Sequence, residues 1–263
     1  IDGNQSGLPS NFGYSQARAP LRMSTGLYAA PGEIVTISLN ETLVNQGISI
    51  LIGAHSDSLW GKDQLHRFPN IVRNWYVENS TMDVGNAFGG NIYVNIEAGS
   101  TLGIFDVLIS NAVESPRYFH DSTDISDWLL NQRNAPAPWA EIGSELFILT
   151  VPSDEVRNLE NPDELMDWWN QALSMEHSLY GFTPWPRVER AVFDAQISAG
   201  WMHSGYPFMA HDLSVPDVLD LEYMSENGEE NVNDSYTIYT QIFNFILFNN
   251  SYIILIIFKI KNL

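Results

Sequence analysis

Six histidines and 32 acidic side chains hold most of the chemistry this sequence could perform, and the absence of cysteine removes thiolate metal sites and thiol nucleophiles. Two imidazoles one helical turn apart, as His-Glu-x-x-His, would grip a zinc ion while the Glu activates its water. Here His55, His66, His120, His177, His203 and His211 are followed by Ser, Arg, Asp, Ser, Ser and Asp, so that pattern does not occur. His203, His211 and Asp212 are close enough in sequence to suggest a metal cluster, but Pro207 and a loop-like composition do not fix them on one face. A serine elbow, Gly-x-Ser-x-Gly, is also missing; Ser198-Ala199-Gly200 followed by Ser204-Gly205 has the wrong spacing. Glycoside hydrolysis needs two carboxylates across a sugar, and 32 acids give no basis for choosing a pair. The Gly85–Gly90 segment lacks the lysine and periodicity of a phosphate loop. Catalytic residues and metal ligands are therefore read as none, and no cofactor is assigned to this chain. Trp60, Trp75, Trp139, Trp185 and Trp201 stand in turn-rich segments where an indole could stack on a sugar or bury a partner, although core burial is the commoner use of tryptophan.

The charge narrows the partners. Lys and Arg total 12 against 32 Asp and Glu, a formal charge of −20. A field of that sign repels nucleic acid and anionic membrane surfaces, so no nucleic acid and no direct membrane insertion are expected. The chain opens at Ile1 without an initiator Met or a signal pattern and reads as a fragment, which leaves the compartment open.

The elements that must position these residues change character along the chain. Residues 1–22 form a polar leading segment. Residues 23–115 carry strand signals: alternation over Glu33–Leu39, apolar runs over Gly47–Gly53 and Gly103–Ser110, and Ile92, Val94 and Ile96 on one face of Asn91–Ile96. A sandwich-like, β-rich subdomain is predicted there. Beyond Pro116, a short helix is predicted over Thr123–Gln132, capped by Ser122 or Thr123, then strands over Glu145–Val151 and Val188–Ile197. The clearest helix covers Pro162–Tyr180, with Asn161 as cap, an apolar stripe of Leu165, Trp168, Trp169, Ala172, Leu173 and Leu179, and Gly181 as stop. Between Ala191 and Phe258 there are nine acids and no Lys or Arg, and residues from Tyr236 onward turn rich in Ile, Phe, Asn and Tyr. Asn244, Asn249, Asn250 and Ser251 interrupt the run of about 20 apolar residues that a membrane span requires. Residues 225–263 are read as a disordered or mis-translated tail, whose apolar surface implies poor solubility.

Six blocks in order carry a family resemblance. They are Ser24–Glu33 (STGLYAAPGE), Ile52–Leu59 (IGAHSDSL), Phe88–Tyr93 (FGGNIY), Ala137–Glu141 (APWAE), Ile148–Ser153 (ILTVPS) and Asp194–Pro207 (DAQISAGWMHSGYP). Together they resemble the enhancin-like zinc metallopeptidases, peptidase family M60, which include mucin-degrading microbial enzymes, viral enhancins and the animal TRP-channel-associated factors. The wording of the later blocks is most similar to the channel-associated factors. The resemblance implies an α+β fold: the β-rich subdomain at 23–115, then at 116–224 the start of a gluzincin-type catalytic unit. In the family the His-Ser-Gly-Tyr-Pro block is followed by the zinc helix, whereas here the likeness stops near Met224 and both zinc histidines, the catalytic Glu and the third ligand are missing. Zinc is thus expected of full-length family members.

Three functions follow as expectations. The first is a fragment of a zinc peptidase acting on mucin-type glycoproteins, itself inactive, and extracellular in setting. The second is a non-catalytic regulator of an ion channel's activity or trafficking at the cytoplasmic face of the plasma membrane. The third is a glycan-binding module built on the β-rich half. His203, Tyr206 and Trp201, in the most distinctive block, are the candidate binding residues.

Overall fold

The computed structural model describes residues 1–5, 16, 18–179 and 187–226. In the first part the strands are β1 (Asp2–Asn4), β2 (Leu21–Ala29), β3 (Ile34–Leu39), β4 (Ile48–Ile52), β5 (Arg73–Tyr76), β6 (Thr81–Gly85), β7 (Gly90–Ile96), β8 (Thr101–Ile104), β9 (Val107–Ser110) and β10 (Val113–Glu114). They pair antiparallel as a five-stranded sheet in the order β10-β2-β7-β4-β5, a three-stranded sheet β6-β3-β9 and a β1-β8 ribbon. The two larger sheets face each other. Val35 and Ile37 of β3, Ile48, Ile50 and Ile52 of β4, and Ile92, Val94 and Ile96 of β7 interdigitate in one buried cluster, the packing of a β-sandwich.

Every residue of β4 is buried because both of its faces are used. Ile48, Ile50 and Ile52 point into the sandwich, while Leu51, with Tyr93 of β7, meets Val192, Ile197 and Met209 from the second half. A near-continuous apolar run, here interrupted only by the buried Ser49, is the signature of a strand buried on two sides.

The second half is a six-stranded mixed sheet. Its strands are β11 (Arg117–Phe119), β12 (Trp139–Gly143), β13 (Phe147–Pro152), β14 (Glu189–Asp194), β15 (Met202–His203) and β16 (Phe208–His211), in the order β11-β12-β13-β14-β16-β15. Its helices are α1 (Ile125–Leu130), α2 (Ser153–Val156), α3 (Pro162–Leu179), α4 (Val215–Leu219) and α5 (Leu221–Glu226). Alternation along the strands divides the two faces. Ala140, Ile142, Phe147, Leu149, Val151, Ala191 and Phe193 pack against Leu165, Met166, Trp169 and Leu173 of α3. Glu141, Thr150, Arg190 and Val192 occupy the intervening positions and face the sandwich. The chain is α+β, as its sequence implies.

Several boundaries differ from expectation for local reasons. The run Gly103–Ser110 is two strands, because the chain breaks at Phe105, whose ring enters the core and whose amide bonds the Ile1 carbonyl. Asp124, rather than Ser122 or Thr123, caps α1 by accepting from the Ser126 and Asp127 amides; the Thr123 hydroxyl instead accepts from the Phe119 amide. The predicted Glu145–Val151 strand begins two residues later because Ser144 turns the chain, its hydroxyl accepting from the Leu146 and Phe147 amides. Met166 joins the stripe of α3, and Trp168 is only partly buried. Trp75 and Trp139 lie in strands rather than turns. Tyr180, Gly181, Trp185 and the tail beyond Glu226 lie outside the described residues.

Candidate functional site

The sheets of the two halves meet at a buried polar centre. Arg190 of β14 donates through Nη1 to Glu141 Oε1 at 2.9 Å, through Nε and Nη2 to the Arg22 carbonyl at 3.1 and 2.7 Å, and through Nη2 to the Ser24 hydroxyl at 2.7 Å. Glu141 Oε1 also accepts from the Tyr93 hydroxyl at 3.0 Å and from Thr150 at 3.4 Å. Arg22 and Arg190 each place a guanidinium 5.3 Å from the Tyr93 ring centroid. Burial, reinforced by the Glu141 charge, pushes the Tyr93 hydroxyl well above the ordinary tyrosine range, so it stays protonated and donates to Glu141. Burial also lowers the Arg22 pKa from its usual value. This centre fixes how the two sheets are set against each other.

A second cluster joins the same halves near the surface. Gly53 and Gly90 pass so closely that a Cβ on Gly90 would stand 2.5 Å from the Gly53 backbone, and both have positive φ. The chain leaving β4 there delivers His55 and Asp57 onto the second half. His55 is buried, its Nε2 donating to the Phe193 carbonyl at 3.2 Å and its ring 4.1 Å from that of Trp139. Burial lowers its pKa, so it is a neutral packing group.

Asp57 does more. Its Oδ2 accepts from His203 Nε2 at 2.7 Å and from the Ser198 amide at 2.6 Å. His203 Nδ1 donates to the Ser204 carbonyl at 3.0 Å, and its Nε2 also meets the Ser198 hydroxyl at 3.0 Å. The hydrogen bond to Asp57 raises the His203 pKa against the opposing effect of burial. Burial opposes the Asp57 charge, but the bonds from His203 and Ser198 outweigh it and hold that carboxyl below its ordinary range. Both shifts favour the charged pair, in which the imidazolium donates from both nitrogens. Ser198, His203 and Asp57 are not a hydrolytic triad, because serine and aspartate meet the same ring nitrogen, so the nitrogen that would take the serine proton already donates to Asp57.

Arg67 completes the clasp. Its Nε donates to Asp194 Oδ2 at 2.8 Å and its Nη2 to the Asp57 carbonyl at 3.1 Å. Gln196 accepts from the His66 amide at 2.8 Å and donates to the Gln64 carbonyl at 2.9 Å. The loop from Asp57 to Phe68 is thereby strapped to the Asp194–His203 segment.

The three candidate residues share the region of β15 and β16 but not one environment. His203 belongs to the clasp. Trp201 is 41% exposed and stacks on His211, centroids 4.9 Å apart and planes at 15°. Tyr206 is buried; its hydroxyl accepts from the Arg22 amide at 3.3 Å, and the Arg187 guanidinium lies 3.7 Å from its ring centroid. His203 turns to Asp57 while His211 pairs with Asp212 at 2.9 Å, so the two histidines do not converge on one point. Among the described residues no three His, Asp or Glu side chains are grouped to hold a metal ion. Asp57, Glu141 and Asp194 stand in the family-like blocks but carried no assigned role, and Arg67 and Arg190 went unread in the sequence. The available signal was a charged residue set inside or directly after an apolar run, at Glu141 and at Asp194.

Family comparisons agree with this architecture. The family model described as "N-terminal domain of M60-like peptidases" matches residues 14–110, and that for "Peptidase M60, enhancin and enhancin-like" matches residues 111–229. The chain belongs to the M60, enhancin-like family. Among curated proteins, it is 39% identical over 206 residues to a TRPM8 channel-associated factor homolog of Xenopus laevis, covering 78% of this chain and 23% of that protein. It is 35% identical over 207 residues to TRPM8 channel-associated factor 2 of Homo sapiens, covering 78% and 22%. The chain thus spans less than a quarter of the length of these relatives. Among solved structures, a conserved protein of unknown function from Bacillus anthracis superposes with TM-score 0.68 at 18% identity, over 87% of this chain and 48% of that one. The ZmpB metallopeptidase of Clostridium perfringens gives 0.64 at 11% identity, over 83% and 49%. At these identities the superpositions establish the fold alone.

Proposed function

We propose that this chain is a partner-binding, non-catalytic unit of a channel-associated-factor-type protein, acting on an ion channel at the cytoplasmic face of the plasma membrane. The observation that carries the reading is the identity with the TRPM8 channel-associated factors, which spans both halves of the fold. Its 263 residues contain no His-Glu-x-x-His, so they supply no zinc-activated water by the family's route. What they do supply is a rigid pair of sheets held in register by Arg190–Glu141 and by the Asp57–His203 clasp. Such a platform presents surface loops in fixed relation, which is the requirement for recognising a partner. No helix among the described residues is long and apolar enough to cross a membrane.

The M60 fold supports a second reading, in which the chain is part of a zinc peptidase acting on mucin-type glycoproteins. One experiment separates the two. The chain is co-expressed with the TRPM8 channel, captured, and separately incubated with a mucin-type glycoprotein and zinc. Retention of the channel without glycoprotein cleavage supports the first reading; absence of retention removes its support, and cleavage by this chain would overturn its assignment as non-catalytic.

A further inference from the structure

Of the 12 basic and 32 acidic residues of the chain, three bases (Lys62, Arg67 and Arg73) but only one acid (Asp63) fall between Leu59 and Tyr76, and with Arg67 held by Asp194 the cations left for a ligand are Lys62 and Arg73. The same stretch carries an exposed aromatic row. Trp60 is 70% exposed, Phe68 50% and Phe88 43%. The Phe68 ring is edge-on to Trp60 at 5.9 Å and stacked on Phe88 at 4.8 Å. The Asn86 side chain donates to the Ile71 carbonyl, tying the turn that bears Phe88 to the start of β5. There the Trp75 indole donates to the Gly85 carbonyl and the Arg73 guanidinium lies 4.2 Å over the Trp75 ring. Among the described residues, neither Lys62 nor Arg73 pairs with a carboxylate. Strand β5 is also the outermost strand of its sheet, paired only with β4, and Tyr76 upon it is 65% exposed.

Each feature points to the same kind of ligand. An edge strand offers unpaired amides and carbonyls to an added extended segment. Contiguous exposed rings accept apolar side chains. Phe68 and Phe88 cover one another, so the row lacks the successive open ring faces a chain of sugars would need. Lys62 and Arg73 attract an anionic segment locally, while the net charge of −20 makes a second whole copy of the chain repel this one.

We propose that the edge formed by β5 and the Trp60–Phe68–Phe88 row docks an extended acidic segment of a partner protein, with carboxylates on Lys62 and Arg73 and apolar side chains over the rings. The proposal rests on the reading of the chain as a partner-binding protein and names the chemistry of what it binds. The test uses the full chain and a fluorescein-labelled decapeptide alternating Glu with Val, compared with its counterpart carrying Lys for Glu. Anisotropy is read for wild type, Trp60→Ala and Lys62→Glu, with circular dichroism to confirm that these exposed substitutions leave the fold intact. The Glu peptide binds, its affinity falls about tenfold or more in each variant and with added salt, and the Lys peptide does not bind. Equal binding of the two peptides, an unchanged affinity in Lys62→Glu, binding of neither peptide, or self-association abolished by Trp60→Ala would each overturn it. If the channel is retained equally by wild type and both variants, the docking edge is wrong while the functional reading stands. If wild type itself fails to retain the channel, the functional reading falls independently of the peptide result.

Discussion

His203 is the side chain at which packing and charge meet most visibly. As an imidazolium it satisfies Asp57, Ser198 and the Ser204 carbonyl together; as a neutral ring it must turn one bare nitrogen toward an acceptor. The sign of the pH dependence follows. The folded His203 pKa is raised, so its contribution is complete below the ordinary imidazole value and is lost as pH rises through the raised one. The folded Asp57 pKa is lowered, so its contribution is present above the ordinary carboxyl value and is lost as pH falls through the lowered one. The clasp is therefore strongest between the two ordinary values, in mildly acidic solution. His203→Gln is expected to cost about 1–3 kcal/mol there and less at alkaline pH, giving a wild-type-minus-variant difference in thermal midpoint that shrinks as pH rises. A difference constant from pH 5 to 9 would remove the charged clasp from the account. At the buried centre, Glu141→Gln leaves Arg190 without its counter-charge and is expected to cost about 3–5 kcal/mol in urea unfolding. A loss under about 1 kcal/mol would mean that the pair contributes little beyond an ordinary hydrogen bond.

Secondary structure was legible wherever an element has one apolar and one polar side. The alternation of Ile92, Val94 and Ile96 and the spacing of Leu165, Trp169 and Leu173 each identify a core face, and the structure buries those residues. Legibility failed where a second surface intervenes. β4 reads as a mostly apolar run because one face packs the sandwich and the other the second half, and its sequence does not say which residue goes where. The β8–β9 break is hidden because Phe105, at the break, is itself apolar and buried. The clasp was half legible. His203 and Asp57 stand in quoted blocks, but they are 146 residues apart and meet only through the folding of two halves. For α3, Leu165→Ala removes a side chain that packs between helix and sheet, and about 2–5 kcal/mol should be lost in chemical denaturation. A change below about 1 kcal/mol would show the helix to be loosely docked.

At the scale of the molecule, three sheets and a helix layer are stacked so that the faces between them carry both apolar and polar contacts. The sandwich and the mixed sheet share the Leu51–Tyr93–Val192–Met209 cluster, the Arg190–Glu141 centre and the Asp57–His203 clasp. Disruption of any of these is expected to be felt by both halves, so Glu141→Gln should lower the unfolding midpoint reported by probes in either half together. The M60 family membership accounts for the architecture, and the proposed recognition role rests on the identity to channel-associated factors. Elemental analysis of the purified chain after exposure to zinc and buffer exchange should find no stoichiometric metal, and one bound equivalent would contradict that reading. The most direct measurement is capture of the tagged chain from cells expressing the TRPM8 channel, with the channel's currents recorded alongside. Specific retention of intact channel, with a change in current amplitude or surface abundance, is the predicted result. No retention of the channel, together with zinc-dependent cleavage of a glycoprotein by the same preparation, would contradict it.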